Sequence, residues 1–315
     1  MAKRLDSRYF DLQGHRGARG LLPENTLIGF AAAMEMGVTT LELDTAISQD
    51  GVVVVAHDRR LNSDITRDAN GNWLCAATPT VRSLSLARIK TFDVGRIDPE
   101  SSYHRRFPDQ QGSDGVPMPT LAEVFDMVAQ GSNTSIRFNI ETKLSPLHPN
   151  EAAEPTEFVG ALLTTIRAAK LIDRVTIQSF DWRTLRIARN LEPNVAVSYL
   201  STEQSPGDTI KKQGESPWTD GVCFADHGSV PRMIAAAVHV HSTNTVGTIW
   251  SPHFADLSDS LIDAAHDLGI SVLPWTLNEP QEIADAISMG VDGLITDYPD
   301  RARQVMAQLG LPLPG

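Results

Sequence analysis

Residues 9–43, YFDLQGHRGARGLLPENTLIGFAAAMEMGVTTLEL, decide the fold. Tyr9–Gln13 reads as a short strand. Asn25–Met36 carries helical periodicity, and Gly37 supplies a helix stop. Thr39–Leu43 returns to a strand pattern. Strand, helix, strand is the unit from which parallel sheets with outer helices are assembled.

The same alternation runs outward along the chain. Gly51–Ala56 (GVVVVA) is a continuous apolar run behind an Asp-Gly turn, the mark of a buried strand. From residue 58 to 119 the rhythm breaks. That stretch is rich in Gly, Pro and polar residues, with one helical pattern near Ser83–Lys90, and reads as an insertion in the loops. The alternation resumes with helices over Leu121–Ala129, Thr156–Ala169, Trp182–Asn190, Ser258–Leu268, Pro280–Met289 and Pro299–Leu309. Strands are expected at Ser135–Ile140, Val175–Gln178, Val195–Tyr199, Gly221–Phe224, Ile270–Trp275 and Gly293–Thr296. About eight such units favour one α/β domain over residues 1–315, a closed (β/α)8 TIM barrel with a small insertion after the second-strand region. No GxGxxG follows the first strand, which counts against a dinucleotide-binding sheet.

Composition narrows the partners. The 315 residues carry 27 basic and 39 acidic side chains, a net charge of −12, which argues against a nucleic-acid binder. With 41% hydrophobic and 21% charged residues, the chain has the balance of a soluble globular protein. Cys75 and Cys223 are too few for a disulfide framework and fit no zinc spacing. No apolar run reaches the ~18 residues of a membrane helix, so no transmembrane segment is expected. Lys3 and Arg4 have no apolar region behind them, so no export signal is read and a cytoplasmic location is expected. A chain trimmed of a leader would instead be periplasmic or secreted.

In such barrels the chemistry sits at the C-terminal ends of the strands. There the sequence places His15 and Arg16, Glu42 and Asp44, His57 and Asp58, Asn139, Glu141 and Lys143, Gln178, and Trp275 with Asn278. Glu42-x-Asp44 points two carboxylates to one strand face, about 6.6 Å apart along the backbone. Three carboxylates facing one cavity repel unless a cation joins them. Oxygen donors favour a hard ion, Mg²⁺ or Ca²⁺. His15 and His57 are suited to act as an acid and a base in one reaction. The Arg16 fork and Lys143 suit a phosphate. The set together suggests hydrolysis of a phosphodiester. His239-x-His241 has a ligand-like spacing but falls in a stretch read as loop, and is not assigned a metal.

These residues resemble a known family. Gly14-His15-Arg16-Gly17, Pro23-Glu24-Asn25-Thr26, Glu42-Leu43-Asp44 and Val55-Ala56-His57-Asp58 look like the N-terminal signature of the glycerophosphodiester phosphodiesterases. Pro119-Thr120-Leu121, Asn139-Ile140-Glu141-Thr142-Lys143, Trp275-Thr276-Leu277-Asn278 and Gly293 to Pro299 resemble later motifs of that family, in the same order. The resemblance implies one divalent cation held by Glu42, Asp44 and Glu141, with His15 as base and His57 as acid. It places Arg16 and Lys143 at the phosphate. It also implies that Trp275 walls the alcohol pocket; Gln178, by its place at a strand end alone, is a further candidate for substrate or phosphate binding. The implied reaction releases glycerol 3-phosphate and an alcohol from a small-molecule glycerophosphodiester. Two alternatives are a lysophospholipase D-like reaction leaving a cyclic phosphate, and a non-catalytic binder of phosphate esters on the same barrel. The polar insertion, with Tyr103, His104, Arg105 and Arg106, is a candidate for head-group choice.

Overall fold

The computed structural model describes residues 10–75, 77–131, 133, 135–239 and 247–314. Among the described residues nine strands form one sheet: β1 (Asp11–Gly14), β2 (Thr40–Ile47), β3 (Val53–Val55), β4 (Arg137–Thr142), β5 (Val175–Ser179), β6 (Ala196–Ser201), β7 (Thr248–Pro252), β8 (Ser271–Val272) and β9 (Gly293–Thr296). Their order is β8-β7-β6-β5-β4-β2-β1-β9, with every neighbouring pair in that series parallel. The ends of the series meet. The Asp292 amide donates to the Val272 carbonyl at 3.0 Å and the Ile295 amide to the Pro274 carbonyl at 3.0 Å, which nearly closes an eight-stranded barrel.

Period two divides each strand between two environments. On β2, Leu41 and Leu43 join Phe138, Ile140 and Ile177 in the main apolar core, with Phe30, Val124, Leu162 and Leu185 of the outer helices. The alternate residues, Glu42 and Asp44, lie in register with Asn139 and Glu141 of β4. Helix ends follow local rules. Thr26 accepts the Gly29 amide at the start of the helix Leu27–Glu35, and Thr120 and Glu123 form a reciprocal cap on Leu121–Gln130. Among the described residues no helix is long and apolar enough to cross a membrane.

Two expectations need correction, and two elements had not been assigned. The apolar run ending at His57 is not a barrel strand: β3 runs antiparallel to β2 and lies off the barrel series. An apolar run alone cannot distinguish a barrel strand from a hairpin return. Residues 221–224 form no strand; a short helix, Phe224–His227, begins there. The seventh barrel strand is Thr248–Pro252, preceded by an unassigned helix, Val230–His239. His239 ends that helix, and His241 lies outside the described residues.

The insertion has its own small core. Leu61, Val81, Ile89, Phe92, Val94 and Met118 pack with Ala46, Val54 and Ala56 of the β2–β3 hairpin. Its one helical pattern resolves into a short 3-10 turn, Val81–Ser83, and the helix Leu86–Ile89. Cys75 and Cys223 are both free thiols.

Candidate active site

The loop after β1 is shaped by two glycines. A Cβ on Gly14 would stand 2.2 Å from the Gly17 carbonyl oxygen. Gly17 adopts a φ of +91°, and a Cβ there would stand 2.8 Å from the Gly29 backbone. The tight turn leaves Arg16 at a φ of +52°, a costly conformation for a side-chain-bearing residue. That conformation accompanies the hydrogen bond from the Arg16 amide to Glu42 Oε2 at 2.8 Å.

Glu42, Asp44 and Glu141 come together as the strand pattern requires. Each offers an oxygen within 4.8 Å of the others, and all three residues are buried. Asn25 Nδ2 donates to Asp44 Oδ2 at 2.9 Å, and Gln178 Nε2 donates to Glu42 Oε1 at 2.6 Å. Asn139 Nδ2 donates in turn to Gln178 Oε1 at 2.9 Å, so both ends of the Gln178 amide are engaged. Lys143 Nζ lies 2.8 Å from Glu141 and 3.6 Å from Asp44.

The electrostatics of this cluster are unequal. Burial, and then Asp44 beside it, pushes the Glu42 carboxyl well above the usual carboxylate range. Burial also raises Glu141 to about 7, against the pull of Lys143. Asp44 is also buried, but Arg16, His57 and Lys143 outweigh that and hold it low. Two of three clustered carboxylates therefore resist ionising together. Their all-oxygen donor set is one that could hold a hard divalent cation, which would relieve the mutual repulsion.

His15 follows β1. Its Nδ1 lies 2.7 Å from Asp297 Oδ1, and its Nε2 lies 4.0 Å from Glu42 Oε2. Asp297 follows β9 and also takes Arg19 Nε at 2.7 Å, Arg19 Nη2 at 3.0 Å and Asn278 Nδ2 at 2.8 Å. Burial, then Arg19, lowers His15 to about 4, although Asp297 opposes the shift. His57 reaches the mouth from the hairpin, with Nδ1 2.8 Å from Asp58 Oδ1. Desolvation lowers it too, reinforced by Arg16 and Lys143. Burial thus favours the neutral form of both rings. Arg16 is buried between two carboxylates, with Nη1 2.7 Å from Glu24 and Nε 3.2 Å from Asp44.

Of these side chains, all but Glu24, Asn25, Asp44 and Asn139 line one cavity of about 640 Å³. Its far side is aromatic. Trp275 is T-shaped against Phe180 at 5.4 Å and against His253 at 5.1 Å, and its Nε1 donates to the Ser251 carbonyl at 3.0 Å. The sequence reading assigned no role to Asp297, Arg19 or Glu24. Glu24 and Asp297 lay inside quoted motifs, whereas Arg19 had no signal beyond its place in the loop after β1.

A parallel barrel with carboxylates, histidines and cations at the C-terminal mouth has the arrangement of a barrel enzyme. The model of the glycerophosphoryl diester phosphodiesterase family matches residues 15–301, and the chain belongs to this family of phosphoric diester hydrolases. A glycerophosphodiester phosphodiesterase of Bacillus subtilis is 27% identical over 92% of this chain and 84% of its own length. A human lysophospholipase D is 26% identical over 93% of this chain and 84% of its own. A crystal structure from Silicibacter pomeroyi DSS-3, provisionally named for the same family, is 37% identical, with a TM-score of 0.84 over 96% of this chain and 94% of its own.

Proposed function

We propose that the protein hydrolyses glycerophosphodiesters to glycerol 3-phosphate and an alcohol with the help of one divalent cation, Mg²⁺ or Ca²⁺. The observation that carries this reading is His15, its Nδ1 tied to buried Asp297 and its Nε2 beside the three-carboxylate cluster. Glu42, Asp44 and Glu141 would hold the cation, which when bound stabilises negative charge on the phosphoryl oxygens.

The remaining steps fall to the chain's own residues. With Nδ1–H donated to Asp297, the neutral His15 ring presents Nε2 as a lone pair, suited to take a proton from the attacking group. His57 would act in its protonated form, which Asp58 and the substrate's phosphate charge favour: Nδ1–H stays donated to Asp58 while the Nε2 proton passes to the departing alcohol oxygen and leaves a neutral ring. Lys143 and Arg16 line the cavity and would share the charge of the non-bridging oxygens. Gln178, engaged at both ends, aims Glu42 from the cavity wall. Trp275, pinned through its indole N–H, would wall one ester group.

His57→Ala tests catalysis against simple binding. Hydrolysis is expected to drop on the order of 10²–10⁴-fold while glycerol 3-phosphate affinity stays within a few-fold. Turnover at the wild-type rate in that variant would remove His57 from the mechanism.

A further inference from the structure

The departing alcohol must lie in the same cavity as the phosphate, and one side of that cavity is built by the insertion. Tyr103, Arg106 and Phe107 line it there. This strap is fastened to the barrel. The Tyr103 hydroxyl donates to Glu24 and accepts from Arg19 Nη1 at 3.3 Å. The Arg19 guanidinium sits 4.6 Å from the centre of the Phe107 ring. Farther along, the Gln110 side chain donates to the Arg19 carbonyl at 2.7 Å and the Gln111 amide to the Leu21 carbonyl at 2.8 Å.

The cations of the cavity wall are not equivalent. Arg16 is matched by Glu24 and Asp44, Arg19 by Asp297, and Lys143 by Glu141. Arg106 is different. Its guanidinium is steadied over the Tyr103 and Phe107 rings at 5.6 Å each, is exposed, and has no ion-pair partner among the described residues. The strap's aromatic faces are also taken: Phe107 carries Arg19, and Arg106 lies over both rings. A quaternary ammonium needs a free aromatic face, and the strap does not offer one. An anion would find the unmatched guanidinium.

We propose that Arg106 is a specificity-determining residue that favours glycerophosphodiesters whose alcohol carries an anionic substituent, such as a carboxylate. The inference rests on the phosphodiesterase reading and names the substrate class within it. An exposed guanidinium–carboxylate contact corresponds to about two- to five-fold in selectivity.

The test uses two esters that differ by one carboxylate, glycerophosphoserine and glycerophosphoethanolamine, with the full chain and added Mg²⁺ or Ca²⁺. The readout is the ratio of their kcat/KM values. Wild type is expected to prefer the serine ester. Arg106→Ala is expected to reduce the ratio about two- to five-fold and Arg106→Glu to invert it, while Arg106→Lys keeps part of it. The preference should also shrink as salt rises, since the site is exposed. A ratio that moves less than two-fold in both Arg106→Ala and Arg106→Glu would overturn the assignment. Failure of wild type to cleave either ester would instead strike the phosphodiesterase reading, and this assignment with it.

Discussion

Asp297→Asn alters chemistry with little change of shape. The native carboxylate accepts four hydrogen bonds: His15 Nδ1 at 2.7 Å, Arg19 Nε at 2.7 Å, Arg19 Nη2 at 3.0 Å and Asn278 Nδ2 at 2.8 Å. An amide keeps one accepting oxygen and turns an N–H₂ group toward a donor. Arg19, buried at 6% exposure, then loses its neutralising charge. Breaking a buried ion pair from one side costs about 3–5 kcal/mol, against a typical total stability of about 5–15 kcal/mol. The variant should fold, but weakly. Its catalytic loss has a separate cause. With the NH₂ in the Oδ1 place, His15 Nδ1 faces a donor, and the ring carries its proton on Nε2, where it cannot act as base. A loss in kcat on the order of 10²–10⁴ is expected, with a smaller change in KM. The assay is steady-state release of glycerol 3-phosphate, paired with a urea unfolding curve. Asn278→Ala is the comparison: it removes one donor to the carboxylate and the acceptor of the Asp297 amide but leaves the carboxylate charge, and should cost far less in kcat than Asp297→Asn. A folded Asp297→Asn enzyme with kcat within three-fold of wild type would refute the role given to this pair.

Two further outcomes are expected. Glu141→Gln removes one of three clustered carboxylates, so the rise in melting temperature on adding Mg²⁺ or Ca²⁺ should largely disappear; an undiminished shift would place the cation elsewhere. The depressed pKa of His15, about 4 against an ordinary 6.5, makes stability pH-dependent. Between those values the unfolded chain binds more protons, so the His15 contribution is complete above about pH 6.5 and is lost as pH falls toward 4. The full effect is about 3 kcal/mol. Urea midpoints of wild type and His15→Gln should therefore differ in pH slope across that window, and parallel curves would contradict the burial of a neutral ring.

Much of the site was legible because strand periodicity is local. Glu42-x-Asp44 on β2, in register with Asn139-x-Glu141 on β4, needs only alternation and parallel pairing to bring its carboxylates together. The (β/α) rhythm carried the barrel for the same reason. What escaped depends on closure or on competing states of short apolar runs. Asp297 and His15 are 282 residues apart and meet only when β9 closes beside β1. Val53–Val55 has the composition of a barrel strand, but the Asp50-Gly51 turn folds it back on β2 as a hairpin. Val222 and Phe224 suggested a strand, yet Gly221 at a φ of +81° and Gly228 at +73° bracket a short helical turn instead. The true strand, Thr248–Pro252, is five residues long and ends in proline, so its periodic signal is brief. The strap from Tyr103 to Phe107 has no periodicity to read. Its place over the mouth comes from contacts with Glu24 and Arg19.

The measurement closest to the central claim is glycerol 3-phosphate release from glycerophosphoethanolamine, first with Mg²⁺ or Ca²⁺, then with EDTA, then with the ion restored. Release should stop with EDTA and return with at least one of the two ions. Release that continues undiminished in EDTA would contradict the role of the Glu42, Asp44 and Glu141 cluster. No release with either ion would contradict the proposed reaction itself.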